Sequence, residues 1–266
     1  MIRALLARNL RHHARLLGSL VGGFLVLEAT ICWFASQIET GPGLAELMQQ
    51  FTPPAFQRLV SARIGMASFD GMVAFGYQHP AILTAAVALV IVVSTLPAGE
   101  RESGLLDLIL ARPVRRTQYL AAVTLTLVLG ALVLPGALLT GTALALSLVE
   151  VENALPWSRY VPSAASLATL LLGIGGYSLL IAVTSRRRGP AVARAAGLTI
   201  ALFFLEFLAS LWDPIRPLLS LTPFHYHKPI SAALFQQTPL VNPFVLLSLF
   251  AVCGSAAFWS FGRQDL

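Results

Sequence analysis

Apolar residues run through this chain in long blocks, and most polar residues gather between them. Six blocks are long enough to cross a bilayer: 16–36, 80–98, 119–148, 164–185, 190–211 and 240–261. About 20 apolar residues in a helix cover roughly 30 Å of hydrocarbon, so the pattern predicts six transmembrane helices. The third block is overlong and carries Pro135-Gly136 near its middle. Proline removes one helix hydrogen bond and clashes with the preceding turn, which predicts a kinked or tilted span there. Between the fourth and fifth blocks stands only Arg186-Arg187-Arg188-Gly189, a tight basic turn.

The segments between the blocks have patterns of their own. Residues 1–15 place Arg3, Arg8, Arg11 and Arg15 among apolar positions, which predicts a basic amphipathic N-terminal helix. A basic start before an apolar run is also the form of a secretion signal. That run is long enough to span, however, and no small-x-small cleavage site follows it, so an uncleaved first span is expected. In 37–79, apolar and polar residues alternate at helical spacing on either side of Pro53-Pro54, predicting a helix-break-helix on the outer membrane surface. Residues 212–239 mix Trp212, Phe224, Tyr226 and Phe235 with five prolines. That stretch is too broken for a span and fits a re-entrant or interfacial hairpin with aromatics at headgroup depth.

Composition agrees with the pattern. Of 266 residues, 56% are hydrophobic and only 11% charged, against about a quarter charged in soluble domains. The mean hydropathy is +0.76. The net charge of +6 rests almost wholly on arginine, with Lys228 the only lysine. These charges sit at the ends of apolar runs, so orientation in the membrane explains them better than nucleic acid does. With the N-terminus inside, thirteen arginines fall on inner segments and five basic residues on outer ones. Positive-inside bias therefore predicts both termini in the cytoplasm. Cys32 and Cys253 each lie within an apolar run, where a disulfide framework is not expected.

Against this sparse background, residues 99–118 stand out. Seven charged residues lie between Glu100 and Arg116. Leu105, Leu106, Ile109 and Leu110 form an apolar helical face for the membrane domain or a partner. Glu102 and Asp107 lie near the helix start, where the helix dipole favours negative charge, and Pro113 follows its end. An ordinary basic cytoplasmic loop accounts for Arg112, Arg115 and Arg116 equally well, but leaves Glu100 and Glu102 unexplained. Within the spans, Glu28 and Glu206 are the ionisable candidates. Each is read either as a cavity or dimer contact, or as a buried packing group. Gly18-x-x-x-Gly22 and Gly173-Ile174-Gly175-Gly176 permit close helix approach. His225-Tyr226-His227 offers two imidazoles without a nearby carboxylate, short of the four ligands of a structural metal site. No metal site is expected, and an interfacial aromatic anchor is the better reading.

The run Gly-Glu-Arg-Glu-Ser-Gly-Leu-Leu-Asp-Leu-Ile-Leu-Ala-Arg-Pro-Val, residues 99–114, resembles the signature joining the second and third spans of ATP-binding-cassette type-2 permeases. Six spans with the N-terminus inside, the basic N-terminal helix, His79-Pro80 and the broken outer hairpin are similar too. Departures are Arg115-Arg116-Thr117, which displaces the usual hydroxyl by two positions, and Ala121-Ala122 where a lysine is common. The resemblance implies an all-α permease domain, 1–266, that exports a substrate as a dimer, most simply a homodimer. Each copy would dock a cytoplasmic ATPase subunit, two in all. Glu100, Arg101, Glu102, Gly104, Leu105, Leu106 and Asp107 would serve coupling, with Arg8, Arg11 and Arg15 at the ATPase or anionic headgroups. The chain has no Gly-x-x-x-x-Gly-Lys-[Ser/Thr] phosphate loop. ATP and magnesium would therefore sit on the partner chain, with no cofactor or enzyme activity here. The expected location is the cytoplasmic (inner) membrane of a bacterium.

Two rivals belong to other classes. An intramembrane protease needs paired catalytic or metal-binding groups within spans, and no histidine lies in one. An ion-coupled secondary transporter needs a midplane site, for which Glu28 and the Pro135 break are a thin basis.

Overall fold

Helix is the only regular structure among the described residues, and six helical stretches are long and apolar enough to cross a membrane. The computed structural model describes residues 2–39, 68–151, 154–236 and 239–264. The interfacial helices expected near 44–64 lie outside that set. Helix α1 covers Ile2–Glu39, and α2, Phe69–Gly76, leads through a turn into α3, Pro80–Ser94. Two short helices follow, α4 at Leu96–Glu102 and α5 at Leu105–Leu110. Then come α6 (Arg116–Leu148), α7 (Val161–Val183), α8 (Arg188–Leu211), the small α9 (Pro229–Phe235) and α10 (Val241–Gly262).

The basic N-terminal segment is not a separate helix. It continues into the first span as one 38-residue helix, about 57 Å long at 1.5 Å per residue. Nothing in Arg15-Leu16-Leu17 breaks it, because arginine and leucine are both good helix formers. The second stretch gains α2, so that Phe69–Ser94 together is long and apolar enough to cross. Helix α6 runs unbroken through Pro135 in hydrogen-bonded outline.

Helix α7 is the centre of the bundle. Every residue from Leu170 to Leu179 is buried, as expected of a helix apolar all round. Its glycines decide how closely neighbours approach. A Cβ on Gly176 would meet the Phe250 Cα of α10 at 2.9 Å, and one on Gly175 would meet Leu127 Cδ1 of α6 at 2.6 Å. The cluster therefore serves packing within the chain. Helices α8 and α10 turn large apolar side chains outward, among them Phe204, Phe207, Phe244 and Trp259. In water such a surface would be a liability; in lipid it is the expected one.

The two ends of the bundle are fastened differently. At the end away from the arginines, Asp70 accepts from the Leu155 amide at 2.9 Å and the Tyr160 hydroxyl at 2.7 Å. Ser163 Oγ donates to the Pro229 carbonyl at 2.8 Å. The described residues 212–236 make no span: two 3₁₀ turns, Asp213–Leu221 and Pro223–Tyr226, precede α9. Prolines explain this, since each removes a donor and fixes one dihedral.

Candidate functional site

Helix α3 stops at Ser94-Thr95, where both hydroxyls bond back to carbonyls of their own last turn, Ser94 to Val90 and Thr95 to Ile91. Pro97 then opens α4 at a position where its missing amide costs nothing. The chain breaks again at Gly104, whose φ of 71° is the left-handed region that glycine adopts without strain. This places α5 as a separate short helix between the second and third spans.

Helix α5 has two faces. Leu106 and Ile109 point inward, 0% and 8% exposed, and pack with Leu120, Val123 and Phe261. Leu105 and Leu108 point outward, 41% and 68% exposed, with Asp107, Ala111 and Arg112 also exposed. The face of Leu105, Leu106, Ile109 and Leu110 expected from the sequence is thus divided: Leu106 and Ile109 bind α5 to the bundle, Leu110 is half-buried, and Leu105 joins Leu108 in a free ridge. Leu108 was not among the expected site residues, although its i, i+3 spacing from Leu105 marks the same helical stripe.

The charges beside α5 face other spans. Glu100, in α4, is buried between Arg8 of α1, which pairs with Oε1, and Tyr119 of α6, whose hydroxyl donates to Oε2 at 2.6 Å. Arg101 donates to the Val183 and Ser185 carbonyls at 3.0 and 2.9 Å, satisfying the orphan end of α7, and to Gln264 Oε1 at 2.5 Å. Burial lowers this guanidinium from its ordinary value. Gln264 also donates to Val183 O at 3.1 Å, and its own carbonyl accepts from Arg116. Glu102 Oε2 accepts from the Arg188 amide at 2.9 Å, at the start of α8, where a helix dipole favours an anion. Helix α4 is therefore latched to α1, α6, α7 and α8, and to the segment after α10.

Sequence reasoning missed Tyr119 and Gln264. A tyrosine near a span terminus reads as a headgroup anchor, and a lone glutamine past the last span carries no signal at all. Of the three arginines grouped with the N-terminal helix, Arg8 is half-buried and paired with Glu100, while Arg11 and Arg15 are exposed. An open cavity of about 510 Å³ lies beside the latch, lined by Arg8, His12, Glu102, Leu105 and Arg188 among others.

Glu28 and Glu206 lie far from this site. Glu28 is fully buried, with Thr142 Oγ1 donating to Oε1 at 3.1 Å and no hydrogen-bond partner for Oε2 among the described residues. Gly76 and Gly141 make its room, since a Cβ at Gly76 would collide with Oε2. Glu206 accepts from Thr222 at 2.5 Å and faces His225 at 3.7 Å, pinning the 212–239 segment to α8. His227 points elsewhere, bonding Ser166 Oγ at 2.9 Å and the Tyr77 carbonyl at 3.2 Å. Burial pushes its imidazole down to about 4. The two imidazoles are therefore spent on separate contacts, and no metal-holding group occurs among the described residues.

Comparison with known proteins covers the spans and the insert together. The family model described as multidrug efflux system permease Rv1217c, C-terminal domain, matches residues 4–261. A search of curated proteins finds no match to the chain. The matched stretch takes in α4, α5 and all but the outermost residues of the six helices long and apolar enough to cross a membrane. A multi-pass helical membrane protein of this kind is a transport subunit rather than an enzyme, and the chain belongs to the family of the C-terminal domain of multidrug efflux system permease Rv1217c.

Proposed function

We propose that this chain is the permease subunit of an ATP-binding-cassette exporter, driven by a separate ATPase docked on α5. The observation that carries the reading is the division of labour between α5 and α4. A ridge of two exposed leucines stands outside the bundle, while the charged residues before it are tied to four spans. A partner that seats Leu105 and Leu108 and then moves would pull α4, and with it α1, α6, α7 and α8. Asp107 and Arg112 supply the polar rim around that apolar contact. Glu100, Arg101 and Glu102 act as internal levers, and Gly104 is the joint between lever and ridge. ATP and magnesium belong to the partner, whose phosphate loop this sequence lacks.

The family name supports efflux of drug-like amphipathic molecules as the work done. Arginine bias supports a cytoplasmic site for α5, both termini inside, and residence in the cytoplasmic membrane of a bacterium. A second copy would pack on the small-residue surface of α1, where Gly18 and Gly22 have no atom within 4 Å of an added Cβ.

The test is co-purification. The detergent-solubilised chain, taken from its native cells, is expected to bring down an ATPase subunit. The same chain carrying Leu105→Asp and Leu108→Asp is expected to lose it while remaining monodisperse. A folded wild-type chain that recovers no ATPase would sink the proposal and turn attention to Glu28 and a gradient-driven cycle.

A further inference from the structure

At the end of the bundle opposite α5, the first turns of α7 and α10 enclose a pocket of about 190 Å³ with the segment leading into α9. Ala165, Ser166 and Thr169 supply one wall; their spacing places them on a single face of α7. Asn242 and Pro243 of α10 supply another, and Tyr226 and Lys228 contribute the remaining polar groups beside apolar Pro162, Ala232, Pro239 and Leu240.

The electrostatics of this pocket are one-sided. Lys228 is the only lysine in the chain, is exposed, and enters no ion pair among the described residues. Of the described acids at this end of the bundle, Glu206 contacts Thr222 and His225, Asp213 contacts Arg216, Asp70 contacts Leu155 and Tyr160, and Glu150 is exposed just past α6; none of them lines the pocket. Helices α7 and α10, of 23 and 22 residues, both begin at the pocket and turn the positive ends of their dipoles toward it. The three sources of positive potential therefore converge on a space with no described carboxylate in its lining. At its edge, Leu240, which caps α10, and Phe244 are 84% and 70% exposed and stand one turn apart, continuing the site as an apolar track along the bundle.

We infer that this pocket binds the phosphate-bearing headgroup of an anionic amphiphile, with its chain lying along Leu240 and Phe244. A phosphate ester on an apolar tail matches each part: the charge meets Lys228 and the dipole ends, the Asn242 side chain lines the same space, and the tail meets α10, while the Ser166 and Tyr226 hydroxyls stay bonded to His227 and the Ser220 carbonyl. The site is independent of α5 and of any ATPase.

The experiment uses the full chain, delipidated in neutral detergent, with native mass spectrometry counting retained lipid. Phosphatidylglycerol and phosphatidylcholine of identical chains are the probes, and inorganic phosphate is added as a competitor. Wild type is expected to retain one phosphatidylglycerol in preference to phosphatidylcholine. Lys228→Gln, at an exposed position, should lower the affinity about fivefold, the usual worth of one basic group at a lipid surface. Ala165→Trp, which fills the pocket without touching the charge, should lower it as well. Arg216→Gln, another exposed cation of the same 212–239 segment, should leave retention unchanged. The inference is overturned if Lys228→Gln binds as wild type, or if Arg216→Gln weakens binding equally. It is overturned too by equal retention of both lipids, or by displacement with inorganic phosphate at matched concentration, which would assign the site to a free anion.

Discussion

Truncating Glu100 would leave the Arg8 guanidinium and the Tyr119 hydroxyl without their shared acceptor at the arginine-rich end of the bundle. Removing one member of a fully buried ion pair costs about 3–5 kcal/mol. Arg8 is 37% exposed, so water takes up part of that loss, and about 1–3 kcal/mol is expected for Glu100→Ala. Leu108→Asp, at an exposed site, should change stability by less than about 0.5 kcal/mol. Thermal melts of the two purified variants check this, and equal loss of stability would place Leu108 inside the fold rather than on a docking ridge. His227 gives a pH dependence of opposite origin. Its neutral ring is held between Ser166 and the Tyr77 carbonyl and resists protonation down to about 4, whereas in the unfolded chain it accepts a proton near the ordinary imidazole value of 6.5. Its contribution is thus complete above pH 6.5 and is lost as pH falls toward 4, by roughly 3 kcal/mol in all. Melts at pH 7.5 and pH 5 should show a larger acid-induced drop for wild type than for His227→Asn. An equal drop in both would assign the acid sensitivity to other groups.

Helix packing turns the glycines into a test of which faces are internal. Gly176→Ala sets a Cβ against the Phe250 backbone at 2.9 Å, so α7 and α10 must separate, at a cost of about 1–3 kcal/mol. Gly22→Leu meets open space and should leave the monomer as stable as wild type while weakening dimer cross-linking in membranes. A fall in melting temperature for Gly22→Leu, with none for Gly176→Ala, would reverse the assignment of inner and outer faces. Sequence alone could not tell these glycines apart, since small residues mark close approach without saying to what. The same limit holds elsewhere. The six spans were legible because hydrocarbon thickness imposes a length on apolar runs. The insert was legible because seven charges in so apolar a chain need a reason. The continuity of α1 through its basic leader was not legible, because a change from charged to apolar residues looks the same whether the helix ends there or runs on. Nor was the division of α5, since Leu105, Leu106, Leu108 and Ile109 differ in direction and not in chemistry. Glu100 was recognised as exceptional, but its buried place between Arg8 and Tyr119 depends on a residue 92 positions away, which no local pattern encodes.

Across the whole molecule, the latch around α4 and the staples around Asp70 and His227 sit at opposite ends of an apolar bundle. That separation makes orientation consequential. If the arginine-rich end faces the cytoplasm, α5 is presented where an ATP-hydrolysing partner exists, and the Lys228 pocket opens at the outer leaflet. The inverted arrangement would leave thirteen arginines outside, against the bias that sets topology, and would put α5 beyond the reach of any cytoplasmic subunit. Single cysteines distinguish the two. Arg187 in the tight turn before α8 and Arg216 in the 212–239 segment are both exposed, whereas native Cys32 is buried and Cys253 half-buried within a span. With a membrane-impermeant maleimide on intact cells, Arg216→Cys should label directly and Arg187→Cys only after permeabilisation. The opposite pattern would overturn the ATPase reading whatever the α5 variants do, because the ridge of Leu105 and Leu108 would then face a compartment without ATP. It would leave the Lys228 pocket chemically intact but facing the inner leaflet, so the lipid measurement and the topology measurement fail independently.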